Sequence, residues 1–186
     1  MVLCVILAYL LQGDPGSPCQ PKPGYVWSGA DVELVYLSPR EYPGIPKTIA
    51  AWLETHRFTI PQSYCDSTAH NAFCADLAVL GSSDWAVLAS RADSSRVIVF
   101  WSGSTDSISE LNKFQDSYYV CEGRRFGFSR LIVPTTPADE LERYSYYKAT
   151  PPVPIKHSCL EDIDCEKASE VFYWNERKRY ELIGAD

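Results

Sequence analysis

The chain has 186 residues, of which 46% are hydrophobic and 13% aromatic, and its formal net charge is −7. This length suits one domain with a substantial core, and the hydrophobic content excludes a wholly disordered chain. The negative charge gives no electrostatic basis for binding nucleic acid, which needs a basic surface. The one dense basic run, Arg177-Lys178-Arg179, falls in a predicted turn and is interpreted as a solvated tip.

The N-terminal segment is an apolar head followed by a linker. Residues 2–11 are apolar, which is too short for a membrane-spanning helix but suits the hydrophobic region of a signal peptide. The charged residues that usually precede such a region are missing, and a buried strand is the alternative. Residues 12–24 are rich in Pro and Gly. The pattern predicts a signal and linker over residues 1–24, a single β-rich domain over 25–186, and a secreted or periplasmic protein without a stable membrane span.

Cysteine usage favours the same compartment. The chain has seven cysteines, and removal of a signal peptide would remove Cys4 and leave six. An even number suits an oxidising compartment, so we expect at least one disulfide. Close spacing in the sequence makes Cys65–Cys74 and Cys159–Cys165 the leading pairs. The alternative is that several of these residues are buried thiols.

In chain order, the first elements are a short strand, a helix and a hairpin. Residues 32–37 favour a strand, and residues 46–56 a helix with Pro46 in its first turn. Asp84 to Ser90 and Arg96 to Ser102 predict a hairpin around the polar turn 92–95. Because residues 97–101 are apolar on both faces, we expect this strand to be central and covered on both sides.

The second half of the chain predicts a further strand, a helix and a second hairpin. Residues 126–133 favour a strand that ends at Pro134, and residues 138–147 a helix with Leu141, Tyr144 and Tyr147 on one side. Residues 169–174 and 179–183 predict strands around a polar turn. The expected fold class is α+β, with a mainly antiparallel sheet formed by two aromatic-rich hairpins and with one or two helices.

The loop at residues 76–84 has the outline of a calcium-binding loop. Asp76, Gly81 and Asp84 occupy positions one, six and nine of the pattern D-x-[DN]-x-[DN]-G-x-x-D. Positions three and five need oxygen ligands, but they are Ala78 and Leu80. We therefore predict that calcium does not bind here and does not stabilise the protein.

Two groups of Cys and His residues suggest metal or nucleophile chemistry: Cys65, His70 and Cys74, and His157, Cys159 and Cys165. Neither group has the paired spacing of a structural zinc site, so disulfides or buried thiols are favoured over zinc. A Cys-His pair with His70 or His157 as the base is a further hypothesis. The sequence lacks the nucleophile motif G-x-S-x-G. We predict no catalytic residue, no metal and no cofactor.

Acidic and aromatic residues offer two other candidate sites. Glu161, Asp162, Asp164 and Glu166-Lys167 suggest a cation or ligand site, but an exposed loop with a weak ion pair is favoured. Trp85, Trp101, Tyr173 and Trp174 suggest a platform on which sugars stack, but strand spacing favours core positions for them.

Six short motifs occur in order along residues 45–186. They are Pro61-Gln62, Asp84-Trp85-Ala86-Val87-Leu88, Val99-Phe100-Trp101, Glu166-Lys167-Ala168-Ser169, Tyr173-Trp174 and Gly184-Ala185-Asp186. With these motifs the chain resembles a family of uncharacterised bacterial proteins that are often predicted to be exported. The loop at residues 76–84 is also similar to those of FG-GAP/VCBS-type β-repeats. The family resemblance implies export but no activity and no functional residues.

The functional prediction is an exported, non-catalytic domain that binds a protein or a surface ligand. Two alternatives stay open. One is a small hydrolase with a Cys-His or carboxylate site, and the other is a neutralising, immunity-type partner of a secreted toxin, which an acidic protein would suit if the toxin were basic.

Overall fold

A computed structural model describes residues 34–63, 66, 68–121, 124–165 and 167–185. It contains twelve strands, two α-helices and a 3₁₀ turn at Trp101–Gly103. The strands are β1 Tyr36–Leu37, β2 Ile60–Pro61, β3 Ala72–Ala75, β4 Asp84–Ser90, β5 Ser94–Phe100, β6 Ile108–Gln115, β7 Tyr118–Cys121, β8 Arg124–Phe128, β9 Arg130–Thr135, β10 Cys159–Asp164, β11 Ala168–Trp174 and β12 Tyr180–Ala185. The helices are α1 Lys47–Thr55 and α2 Pro137–Tyr146. The predicted head and linker at residues 1–24 lie outside the described residues.

The strands form two four-stranded antiparallel sheets and two short pairs. Sheet 1 has the order β3-β4-β5-β6, and sheet 2 has the order β12-β11-β10-β9. β1 pairs with β2, and β7 pairs with β8. Every pairing between these strands is antiparallel, so the predicted α+β class with a mainly antiparallel sheet is confirmed.

The main core lies between the two sheets. Side chains of sheet 1 meet those of sheet 2 in one buried apolar cluster: Leu77, Ala78, Ala86, Leu88, Val97, Val99, Trp101, Leu111, Phe128, Ile132, Leu160, Phe172 and Trp174. The rings of Trp101 and Trp174 meet edge to face with centroids 5.8 Å apart. Both Trp residues and Tyr173 are buried, which confirms the core assignment for them, while Trp85 is half-buried.

Helix α1 covers the outer face of sheet 1. Ile49 and Leu53 are four residues apart, so they share one helix face, and both are fully buried. They pack with Val87 of β4 and with Ile98 and Phe100 of β5. Because alternate residues of β5 pack against sheet 2, this strand is covered on both sides, as predicted.

Several predicted boundaries differ from the observed ones. In the first hairpin β5 begins at Ser94, because Ala92 and Asp93 adopt left-handed φ values of 51° and 56° and close a two-residue turn. The predicted strand 126–133 is two strands, β8 and β9, which separate at Ser129 and belong to different sheets. Pro134 lies inside β9, where it is tolerated because β9 is an edge strand.

Helix α2 exists as predicted, but its apolar residues Leu141 and Tyr147 do not face the core. Leu141 and Tyr147 are 47% and 51% exposed, and the helix residue that is fully buried is Glu140, at 1% exposure. The helix begins with a capping box, in which Thr136 and Asp139 exchange hydrogen bonds between side chain and backbone. Helix α2 therefore packs on sheet 2 through the polar side chains of Glu140 and Arg143 and through the partly buried ring of Tyr144, which contacts a small apolar cluster.

The acidic run that was expected to form an exposed loop is a central strand. β10 carries Glu161, Asp162 and Asp164 and pairs with β9 on one side and β11 on the other. Asp162 is buried and accepts hydrogen bonds from the guanidinium of Arg130, including one of 2.8 Å from Nε to Oδ1. Asn112 Nδ2 of sheet 1 donates to Asp162 Oδ2 at 3.0 Å. The acids are tolerated in the sheet because cross-strand and inter-sheet donors compensate their charge. Glu166 lies outside the described residues.

Asn71 of the segment before β3 links sheet 1 to the edge of sheet 2 through side-chain hydrogen bonds. This buried residue has a left-handed φ of 71°. Its Nδ2 donates to the carbonyl oxygens of Pro61 and Arg130 at 2.7 and 3.2 Å, and its Oδ1 accepts from the N–H of Ile132 at 2.8 Å. The side chain thereby hydrogen-bonds to the backbone of edge strand β9.

The cysteines do not pair as predicted. Cys74 and Cys159 are free thiols, which excludes both Cys65–Cys74 and Cys159–Cys165. The close spacing of Cys159 and Cys165 in the sequence was misleading. Cys159 is the first residue of β10 and Cys165 follows its last residue, so the extended strand separates them. Cys165 is disulfide-bonded, while Cys4, Cys19 and Cys65 lie outside the described residues.

In the described part of the chain, neither helix is long and apolar enough to cross a membrane.

Candidate ligand pocket

A pocket of about 620 Å³ opens between three separate segments of the chain. They are the loop at residues 76–84, the segment at 153–157, and the turn between β11 and β12. The lining residues are Ala78, Val79, Leu80, Val153, Pro154, Lys156, His157, Tyr173, Asn175, Glu176, Arg177 and Arg179. Pockets of this size accommodate small ligands or parts of larger ones.

Asn175 shapes the turn that carries the basic run. Its Oδ1 accepts hydrogen bonds from the backbone N–H groups of Arg177 and Arg179 at 2.9 and 3.2 Å, as Asn side chains do in turns. Lys178 has a left-handed φ of 57°, and its Nζ donates to Ser107 Oγ at 2.8 Å. The turn was predicted correctly and is exposed, but interpreting it only as a solvated tip missed that Arg177 and Arg179 line a pocket.

The opposite wall is the loop with the calcium-like outline. Asp84 Oδ2 accepts hydrogen bonds from the N–H groups of Leu77 and Ala78, both at 3.1 Å, and from Ser82 Oγ at 2.5 Å. Its Oδ1 accepts from the N–H of Ser102 at 2.8 Å. Both oxygens of the Asp84 carboxylate, which a calcium ion would need as ligands, thus accept hydrogen bonds from four protein donors. The absence of stabilisation by calcium stays a prediction.

Asp76 joins this loop to the third segment of the pocket. It accepts hydrogen bonds from Ser158 Oγ and from the N–H of Gly81. Partial burial acts to raise the pKa of Asp76, but the hydrogen bonds outweigh it and hold the pKa below the usual range. The loop is thus held so that Val79 and Leu80, 41% and 78% exposed, present apolar side chains at the pocket.

The aromatic part of the pocket is a stacked pair. The rings of His157 and Tyr173 lie nearly parallel, at 12°, with centroids 4.4 Å apart, and both residues are buried. The hydroxyl of Tyr173 accepts a hydrogen bond from the N–H of Lys156 at 3.2 Å. Burial raises the pKa of Tyr173, so this hydroxyl stays neutral at physiological pH.

The charge of the pocket is opposite to that of the whole chain. Lys156, Arg177 and Arg179 face a single acid among the lining residues, Glu176. None of the three cations has a carboxylate oxygen within 4.0 Å among the described side chains. By contrast, four arginines elsewhere do form such ion pairs: Arg40, Arg96, Arg130 and Arg143. The pocket therefore presents three cations that have no carboxylate partner among the described side chains.

The residues proposed for Cys-His chemistry do not assemble into a dyad. In the described residues, His70 bonds to the Thr68 carbonyl through Nδ1 at 2.6 Å and accepts from the Ser63 N–H through Nε2 at 2.5 Å. Burial lowers its pKa, so it is a neutral structural histidine. His157 Nδ1 lies 3.2 Å from the carbonyl oxygen of Ser158. No described histidine hydrogen-bonds to a thiol or a carboxylate.

Cys159 is also unsuited to act as a nucleophile. It is fully buried, and burial together with the nearby carboxyl of Glu140 raises the pKa of its thiol to about 12. The thiol is therefore protonated at physiological pH, whereas the thiolate is the reactive form. Within the part of the chain that is described, no group of three or more His, Cys, Asp or Glu side chains is arranged to hold a metal ion.

Comparison with known proteins finds no matching family model, no similar curated protein and no similar solved structure. The family resemblance carried by the six motifs therefore stays a prediction.

Sequence reasoning missed the pocket because its residues are distant in the chain. Two signals were present: a basic run in an acidic chain, and two adjacent apolar residues, Val79 and Leu80, in a loop next to Gly81. Neither signal predicts that residues 79–80, 156–157 and 177–179 meet, because that depends on how the sheets pack.

Proposed function

We propose that the protein is an exported, non-catalytic domain that binds a partially apolar anionic ligand in this pocket. One observation carries the proposal: three cations without carboxylate partners among the described side chains surround a cavity with apolar walls, in a chain of net charge −7. Cations kept unpaired inside a concavity focus positive potential and attract anions.

The types of lining residue suit this ligand class. The guanidinium groups of Arg177 and Arg179 can each donate two parallel hydrogen bonds to a carboxylate or phosphate. Val79, Leu80 and Val153 offer apolar surface for the uncharged part of the ligand. No thiol, serine or threonine hydroxyl lies among the lining residues, so the pocket offers no nucleophile for a hydrolase of the Cys-His type.

Two further considerations favour this reading over the alternatives. A neutralising partner of a basic toxin would need an acidic site, whereas this pocket is basic. The disulfide at Cys165 supports export, because disulfides persist mainly in oxidising compartments. Mass spectrometry after alkylation without reductant tests the export proposal: we expect Cys165 to be unlabelled in protein isolated from its natural source.

NMR titration of the ¹⁵N-labelled protein with octanoate and with octylamine tests the binding proposal. We expect octanoate to shift the backbone resonances of residues 79–80, 156–157 and 177–179, and octylamine to leave them unchanged. The double variant Arg177→Glu/Arg179→Glu should lose the response.

The matched control is Lys47→Glu/Lys113→Glu, which changes the net charge equally at exposed positions outside the pocket. It should respond like the wild type. Equal responses to both amphiphiles, or no loss in the pocket variant, would contradict the proposal.

A further inference from the structure

We infer that the occupant of the pocket is an extended acidic segment of a partner protein, which continues from the pocket along the edge of β12. This inference rests on the proposed function and specifies its ligand. It follows from the apolar surface next to the pocket, the open edge of β12, and the charge of the turn.

The apolar surface continues beyond the cavity. Arg179 lines the pocket, and β12 begins with the next residue. Tyr180 and Leu182 of β12 are 51% and 48% exposed. Alternation places them on the face of sheet 2 that carries Phe172 and Trp174, and Tyr180 contacts both rings. A ligand confined to the cavity would leave this apolar strip uncovered.

The edge of β12 is free to pair with another strand. Within the described residues β12 pairs only with β11, at the end of sheet 2. Over Tyr180–Leu182 the pairing is regular, and an irregularity follows near Ile183. A partner strand therefore finds about three residues of regular edge, or roughly 10 Å, starting at the pocket.

Two of the other sheet edges, β9 and β6, are less suited to strand addition. β9 contains Pro134 and is hydrogen-bonded by the side chain of Asn71. β6 carries the charged residues Glu110 and Lys113 and is distorted by the left-handed φ of 51° at Asn112. Such features protect natural edge strands from pairing. The first residues of β12 combine an open edge with exposed apolar side chains.

An extended peptide satisfies all three features at once. Its backbone would hydrogen-bond to the edge of β12, and alternate apolar side chains would cover Tyr180 and Leu182. Its acidic side chains would meet Arg177, Arg179 and Lys156 at the mouth of the pocket. The expected sequence therefore combines apolar residues at every second position with acidic residues at one end.

Selection from a phage-displayed library of random dodecapeptides tests this inference. The wild-type domain serves as bait, and the variant Arg177→Glu/Arg179→Glu is used for counter-selection. We expect enriched peptides to combine acidic residues with alternating apolar ones. Their synthetic forms should bind the wild type at least about tenfold more tightly than the pocket variant. The control Lys47→Glu/Lys113→Glu should bind like the wild type.

NMR mapping with the most enriched synthetic peptide separates this inference from the proposed function. We expect shifted backbone resonances in the pocket and at residues 180–182. If octanoate shifts the pocket resonances but selection yields no acidic peptides, or the enriched peptide leaves residues 180–182 unperturbed, the peptide inference is wrong and the anion pocket stands. If neither octanoate nor any acidic peptide perturbs the pocket, both proposals fail.

Discussion

The two sheets are covered on their outer faces by helices that pack in opposite ways. Helix α1 contacts sheet 1 with apolar side chains, among which Ile49 and Leu53 are fully buried. Helix α2 contacts sheet 2 largely with polar groups, although the ring of Tyr144 also packs on a small apolar cluster. Arg143 donates to both carboxylate oxygens of Glu161 at 3.1 Å, and the hydroxyl of Tyr144 donates to the carbonyl oxygen of Ile183.

The clearest difference between the two helices is the buried carboxylate of Glu140 in α2. Both of its carboxylate oxygens are buried without a hydrogen-bond partner among the described residues, and the nearest cationic nitrogen, Arg143 Nη1, is 3.7 Å away. A buried polar group without a partner reduces stability. Helix α1 therefore contributes stability that depends little on pH, whereas the contribution of α2 depends on the ionisation of Glu140.

The largest loss of stability is expected from the core between the two sheets, which neither helix forms. We expect Trp174→Ala to reduce the free energy of unfolding by about 4 kcal/mol, because the side chain is fully buried between the sheets. Chemical denaturation followed by circular dichroism measures the loss. An unchanged midpoint would contradict the core assignment and make Trp174 a candidate for ligand contact.

Leu53→Ala and Leu141→Ala compare the apolar contributions of the two helices. We expect Leu53→Ala in α1 to cost about 3 kcal/mol, because it leaves a cavity above sheet 1. Leu141→Ala in α2 should cost less than about 0.5 kcal/mol, because Leu141 is largely exposed. Denaturation midpoints of both variants test this pair. Similar losses of unfolding free energy for the two variants would contradict the conclusion that α1 and α2 differ in apolar packing.

Glu140→Gln tests the pH dependence of α2. Burial raises the folded-state pKa of Glu140 above the unfolded value of 4.5. The contribution of this carboxyl to stability is therefore complete below about pH 4.5 and is lost as the pH rises through the folded-state pKa. Relative to the wild type, the variant should gain on the order of 1 kcal/mol between pH 4 and pH 8.

The groups that face Glu140 from its own helix and from sheet 2 are Asp139, Arg143, Cys159 and Glu161. The neighbouring Asp139→Asn is the matched control with the opposite sign. Hydrogen bonds from Thr136 hold the pKa of Asp139 below its usual value, so its contribution is present at neutral pH and lost as the pH falls. Denaturation midpoints at several pH values follow both variants. A pH-independent difference for Glu140→Gln would contradict this account.

Labelling of thiols in the native protein tests how firmly α2 covers Cys159, and the smallest effect is expected here. We expect iodoacetamide to modify Cys74, which is exposed, and to leave Cys159 unmodified under native conditions. Glu140→Gln should leave this pattern unchanged, because burial is the larger of the two causes that protect Cys159. Peptide mass spectrometry measures the labelling, and rapid modification of Cys159 would show that α2 detaches readily from sheet 2.

Regular, apolar elements of the fold were predictable because local patterns determine them. The helix spacing of Ile49 and Leu53 and the continuous apolar run of β5 both carry a direct signal of burial. The buried side of α2 was not predictable in the same way, because hydrophobicity favours Leu141 over Glu140 in the interior. The polar partners on sheet 2 that reverse this preference are distant in the sequence.

The site depends on the same kind of non-local information. Arg177 and Arg179 could be placed in a turn from the sequence, but their relation to Val79 and Leu80 could not. Asp84 is instructive, because the motif correctly indicated a tight loop around this carboxylate. The sequence could not reveal that this carboxylate accepts hydrogen bonds from Leu77 and Ala78 of the loop and from the distant Ser102.

The amide of Asn71 has a consequence for how copies of this chain behave at high concentration. A strand edge with unsatisfied backbone groups is where chains begin to exchange strands or to form fibrils. Because one side chain already occupies backbone groups of β9, that flank is protected against intermolecular strand pairing. Self-association through backbone pairing is therefore directed to the opposite flank, where a bound ligand on β12 would also suppress it.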